Sequence, residues 1–169
     1  MSHWKKFIVA AIASASAALL LPIAALAASY SDNMGGIEVY ATNTHGVFTG
    51  TASGSLPGAW SVSVFHTPLA GYPEHAYITG GSFDVVSGLT VVSGSFNYYS
   101  GTVRQIAGLR GCTNQVYEVN GALTNVGQLG DSHIGTGNFF AHLTHYRTSI
   151  FGHCVIYGAS ISGTVSLNF

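Results

Sequence analysis

The stretch VIYGASISGTVSLNF, residues 155–169, alternates almost without exception. Val155, Tyr157, Ala159, Ile161, Gly163, Val165, Leu167 and Phe169 fall on one side of an extended strand, and Ser160, Ser162, Thr164, Ser166 and Asn168 on the other. Successive side chains of a strand point to opposite faces, so the pattern calls for one apolar and one hydrogen-bonding environment along its length. At ~3.3 Å per residue the run would reach roughly 50 Å, long for a flat sheet. Gly158 and Gly163 are where it is expected to bend.

The same period recurs upstream. Trp60, Val62 and Val64 alternate with Ser61 and Ser63, and extended runs are expected at 37–41, 47–52, 59–66, 75–86, 89–99, 102–109, 115–126, 134–146 and 151–169. Turn-rich material separates them at 53–58, 67–73, 108–114 and 127–131. No segment after residue 28 carries a helical period. The fold expected is therefore all-β, an antiparallel β-barrel or β-sandwich of about eight to ten strands. A glycine, a small or polar residue and then an apolar one recur at Gly54, Gly81, Gly94, Gly121, Gly137 and Gly163. This reads as strand periodicity, with glycine where the sheet bends or another backbone comes close. Trp60, Phe83, Phe96, Phe139 and Val165 are the expected core.

The first residues read as an address. Lys5 and Lys6 precede an uncharged apolar run, Pro22 interrupts it, and Ala25-Leu26-Ala27 supplies the small residues of a cleavage site. Residues 1–27 are thus expected to be a signal-peptide helix and 28–169 a single all-β domain. An uncleaved anchor is the competing reading, since the run from residue 7 to 28 is long enough to span a bilayer. The destination expected is extracellular, periplasmic or cell-surface. After residue 27 no lysine remains, and Arg104, Arg110 and Arg147 stand against six carboxylates. Nucleic-acid binding rests on phosphate neutralisation by Lys and Arg, so this inventory excludes it, and lysine Schiff-base chemistry is excluded likewise. The low charge offers little repulsion against self-association.

Cys112 and Cys154 are the two cysteines. In an exported chain the pair reads as a disulfide, worth about 4 kcal/mol on the chain-entropy model for a loop of this length. A catalytic thiol beside His153 is disfavoured, because adjacent strand residues face opposite ways.

With its alternation and terminal phenylalanine, residues 157–169 resemble the C-terminal strand of small bacterial outer-membrane barrels. That resemblance implies an integral membrane barrel with an outward apolar band, the alternative to a water-exposed domain and the one reading that makes the membrane a partner. Gly130-Asp131-Ser132-His133 resembles the Gly-Asp-Ser block of a lipase and esterase family. That family sets the block after the first strand of an α/β fold, whereas here it lies late in an all-β chain.

Histidines are the main carriers of ionisable chemistry after residue 27. A turn centred near Ser149 would set His145 and His153 opposite each other, with His133 approaching from a neighbouring segment. This trio is the candidate zinc site, and no other cofactor is called for. Glu74-His75 lies in a turn, and no carboxylate spacing favours glycosidase chemistry. Tyrosines on a β surface can stack on sugars while Asn and Ser satisfy hydroxyls. Tyr72, Tyr99, Tyr146 and Arg147 are the candidate ligand contacts, with Tyr72 and Tyr99 expected to be exposed. The function expected is an exported, non-enzymatic surface, matrix or ligand-binding module for a glycan or small molecule, with a secreted hydrolase as a further alternative.

Overall fold

A computed structural model describes residues 29–132 and 134–169. The expected signal peptide and His133 lie outside the described residues. The described residues form nine strands: β1 (Ser29–Ala41), β2 (His45–Gly54), β3 (Gly58–His66), β4 (His75–Ser87), β5 (Thr90–Phe96), β6 (Thr102–Ala107), β7 (Gln115–Gln128), β8 (Gly135–Ile150) and β9 (His153–Asn168). All pairings are antiparallel, and β1-β2-β3-β4-β5-β7-β8-β9 closes back onto β1 as an eight-stranded barrel. The extra strand, β6, shares one gap with β5. β5 pairs with the second half of β4 and of β7, and β6 with the first half of each.

The interior is apolar. Trp60, Phe83, Phe96, Phe139 and Val165 are all buried, as the alternation requires. From residue 160 onward β9 behaves as read: Ile161, Val165 and Leu167 are buried inside, and Ser162, Thr164, Ser166 and Asn168 are exposed outside. In the glycine repeat, Gly81 and Gly163 stand where a neighbouring backbone comes close, as expected, and two others have a side-chain packing cause. Gly94 of β5 sits opposite Phe83 of β4, and Gly137 of β8 opposite Leu123 of β7, so each glycine leaves room for its neighbour's large inward side chain. A Cβ on Gly94 would lie 2.5 Å from Phe83 Cε1.

Three local expectations are corrected. β1 starts at Ser29 rather than near residue 37. β5 stops at Phe96, because the chain must leave the gap to β6; Tyr98 and Tyr99 therefore lie in a turn, both exposed, rather than on opposite faces of a strand. The last hairpin turns at Phe151 and Gly152, both at positive φ (51° and 82°), and not at Ser149. A two-residue turn with both φ positive matches the right-handed twist of its strands. A bulge at Tyr157 also breaks the alternation of β9, leaving that ring exposed.

The two ends differ. At the end holding Ser29 and Asn168, Leu56 of the β2–β3 loop is buried, and its N–H donates to Asp32 Oδ1 at 2.7 Å. Phe169 stacks on Tyr30 there, with ring centroids 5.3 Å apart. The other end stays open. Around it stand the β1–β2 turn, the loop between β3 and β4, and the β8–β9 hairpin. Cys112 and Cys154 form a disulfide, Cα to Cα 5.5 Å, that ties this hairpin to the β6–β7 loop.

Candidate functional site

Two constellations bring chemistry-bearing side chains together. The first is on the outer wall. Ala76 and Ile78 of β4 are buried, so His75 and Tyr77 point outward. Where β5 gives way to β6, the turn after Phe96 places Tyr98 and Tyr99 beside them. Ring centroids are 4.5 Å apart for Tyr98 and Tyr99, 5.8 Å for Tyr77 and Tyr99, and 6.3 Å for His75 and Tyr77. Tyr77, Tyr98 and Tyr99 are 47%, 67% and 52% exposed, an uncovered row of rings. Tyr99 holds φ at 55°, uncommon for a bulky residue, and its N–H donates to the Ile78 carbonyl at 2.9 Å. Conformations of this kind persist where the surroundings over-determine them. Beside the row, Thr102 pairs with Tyr77 across the ladder, and its hydroxyl bonds Asn120 Oδ1. Arg104 and Glu118 form an exposed ion pair at 3.1 Å one step further on.

The second constellation lines the open mouth. Glu38, Tyr117 and His145 are inward positions of β1, β7 and β8, and His66 ends β3. His145 Nε2 lies 3.1 Å from Glu38 Oε2, with both side chains largely buried at 13% and 11% exposure. Tyr117 donates its phenol to Glu74 Oε2 at 2.5 Å, and its ring lies 5.4 Å from that of His145. Burial first, then the bond to Glu74, holds the Tyr117 phenol above its ordinary pKa, against the opposing pull of Arg147. Gln105 is buried and fastens the loop before β4: its Oε1 accepts from Glu74 N–H and its amide donates to the Ala107 and Gly108 carbonyls.

The expected site residues are not gathered in one place. Tyr99 belongs to the outer row. Tyr72 is exposed as expected but donates its hydroxyl to the Leu109 carbonyl at 2.6 Å, apart from that row. Tyr146 lies on the last hairpin, bonded to Ser160 Oγ at 2.7 Å and 6.0 Å from the Tyr157 ring. Arg147 lies toward the mouth, its N–H held by Asn114 Oδ1. The shifted turn separates the two histidines: His145 pairs with Ala159 and His153 with Ile150. Five ladder positions, roughly 17 Å, lie between them, too far for one ion bound at about 2 Å from each nitrogen. Among the described residues no group of three or more His, Cys, Asp or Glu side chains is placed to hold a metal ion. Glu38 was not anticipated. Its apolar neighbours Ile37 and Val39 suggest that they face inward, yet both are exposed and the carboxylate is inside. The signal that points to it is the even-numbered series Asp32, Met34, Gly36, Glu38.

Searches against protein-family models, curated proteins and solved structures find no match for this chain.

Proposed function

We propose that this chain is an exported, non-enzymatic barrel that binds carbohydrate on its outer wall, through Tyr77, Tyr98 and Tyr99. The observation that carries the reading is the row of three exposed rings in which Tyr99 touches both Tyr77 and Tyr98, bordered by Thr102, Asn120 and the Arg104–Glu118 pair. Sugar rings present flat C–H faces that pack on aromatic rings, and their hydroxyls need donors and acceptors at the edge of that contact. Here the rings are grouped and the polar groups adjoin them. Export is supported by the disulfide, which suits an oxidising compartment, and by the leader-like composition of residues 1–27.

The outer face favours water over lipid as its surroundings. A membrane barrel needs an outward apolar band about 25 Å tall. Ser31, Asn33, Thr49, Thr51, Ser61, Ser162, Thr164 and Ser166 instead occupy exposed positions on β1, β2, β3 and β9. A glycan array probed with the purified protein tests the reading, followed by titration of the best oligosaccharide. Tyr99→Ala and Tyr77→Ala are each expected to weaken binding about tenfold, or about 1.4 kcal/mol, with far-UV circular dichroism unchanged. Absence of signal across the array, or retention undiminished in both variants, would sink it.

A further inference from the structure

We infer that the open mouth of the barrel is a second, separate binding site, one that takes a small primary amine with an apolar body. The inference does not rest on the carbohydrate reading, because the mouth and the tyrosine row share no residue.

The hydrogen-bond inventory carries the argument. A cavity of about 60 Å³ opens at this end, walled by Phe48, Val64, Val103 and Leu143, with Glu38, Thr42, His45, His66, Tyr117 and His145 supplying its polar lining. His66 Nδ1 is 2.7 Å from the Thr67 carbonyl, which can only accept; Nδ1 therefore carries the proton, and Nε2 of the neutral ring is an acceptor. Tyr117 commits its hydroxyl proton to a hydrogen bond with Glu74, so its oxygen is left with acceptor capacity alone. His145 spends its Nε2 on Glu38 Oε2, 3.1 Å away. Among the described residues His145 is the one hydrogen-bond partner of the Glu38 side chain, which leaves carboxylate acceptor capacity and a negative charge at the cavity. His45, also at the rim, stacks its ring on the exposed Phe65 and bonds Ser63.

Glu38, His66 Nε2 and the Tyr117 oxygen thus set acceptors on the polar side of this cavity. A carboxylate ligand would meet like charge at Glu38. An alcohol brings one donor. An ammonium brings three donors and the complementary charge, and its hydrocarbon part suits the Phe48, Val64, Val103 and Leu143 floor. The volume fits about five non-hydrogen atoms, judged from the roughly 10–15 Å³ that one water requires on the same measure.

Three matched probes test this on the intact protein: isobutylamine, isobutanol and isobutyrate, each titrated while the His145 and Tyr117 ring resonances are followed by NMR. Isobutylamine is expected to bind at least tenfold more tightly than isobutanol, and isobutyrate to leave both resonances in place. Glu38→Gln should bring the amine down to the level of the alcohol. Val119→Phe, which narrows the cavity without altering charge, should weaken amine and alcohol together. Equal affinity for the three probes, no response to the amine, or an amine preference that survives in Glu38→Gln would each overturn the inference. The three-probe comparison on the unaltered chain stands even if a variant fails to fold. A glycan-array result leaves it untouched in either direction.

Discussion

Replacing Gly94 by alanine sets the packing account of the glycine repeat against the ordinary effect of such a change. Gly94 lies on β5 opposite Phe83, and an added methyl would stand 2.5 Å from Phe83 Cε1, 3.1 Å from Cζ and 3.1 Å from the Thr124 carbonyl oxygen. Phe83 is buried, so its ring must move into neighbours already packed around it. Overpacking of this kind costs about 1–3 kcal/mol. The loss of glycine's unfolded-state freedom offsets it by about 0.4–1 kcal/mol. The net expectation is a destabilisation of about 1–2 kcal/mol. Gly35 supplies the contrast. It lies in β1, is not in the left-handed region, and an added methyl there meets nothing within 4 Å. Gly35→Ala should therefore stabilise by about 0.4–1 kcal/mol.

Urea denaturation of the two variants with the disulfide intact reads both signs. Phe83→Leu then closes a double-mutant cycle. If the ring is what Gly94 accommodates, Gly94→Ala should be less harmful in the Phe83→Leu background, with a coupling of about 0.5–3 kcal/mol. A stabilised Gly94→Ala, or strict additivity with Phe83→Leu, would refute the reasoning. The glycines would then mark backbone bending and not side-chain room.

Two further outcomes are expected. Phe151 is 98% exposed at φ 51° in the last turn, so Phe151→Asn should raise stability by about 0.5–1 kcal/mol, because Asn-Gly suits such a turn far better; an unchanged denaturation midpoint would count against that geometry. The Tyr117 phenol is held above its ordinary value by burial and by its bond to Glu74. The unfolded chain releases this proton first as pH rises past about 10, so the contribution of Tyr117 to stability is full below that pH and declines above it. Absorbance titration should show one of the nine tyrosines ionising after the rest, and Tyr117→Phe should abolish that late component.

How much of this was legible follows from what each face contains. Residues 160–168 could be read because one side is uniformly small and polar and the other apolar wherever it is not glycine. Trp60, Phe83, Phe96, Phe139 and Val165 could be placed for the same reason, and all five are buried. The start of β1 could not, because its inward series runs Asp32, Met34, Gly36, Glu38, with a single large apolar side chain. Glu38 stayed hidden behind the same irregularity, since a carboxylate is buried here only by virtue of a histidine 107 residues away. The Phe151-Gly152 turn lacks the Asn or Asp that usually announces one, and that single misplacement carried His153 to the wrong partner. The outer tyrosine row depends on β5 and β6 sharing a gap, a feature of topology that periodicity does not encode.

The open mouth itself traces to two irregularities on one seam. Pairing between β1 and β9 runs from Ser29 and Asn168 to Ile37 and Ser160 and goes no further. Beyond that point β1 bulges at Val39 and β9 at Tyr157, each inserting an unpaired residue that turns its strand away. The seam therefore parts just where Glu38 points inward, and a carboxylate that would be costly to bury in a closed barrel keeps a share of solvent. The β8–β9 hairpin loses β1 as a neighbour there and continues to Ile150 and His153 with β8 and β9 paired only to each other along that seam. An isolated two-stranded ribbon is marginal in water. The Cys112–Cys154 bridge secures the ribbon from the opposite side, to the loop leading into β7, so that the seam can stay parted without the hairpin being lost.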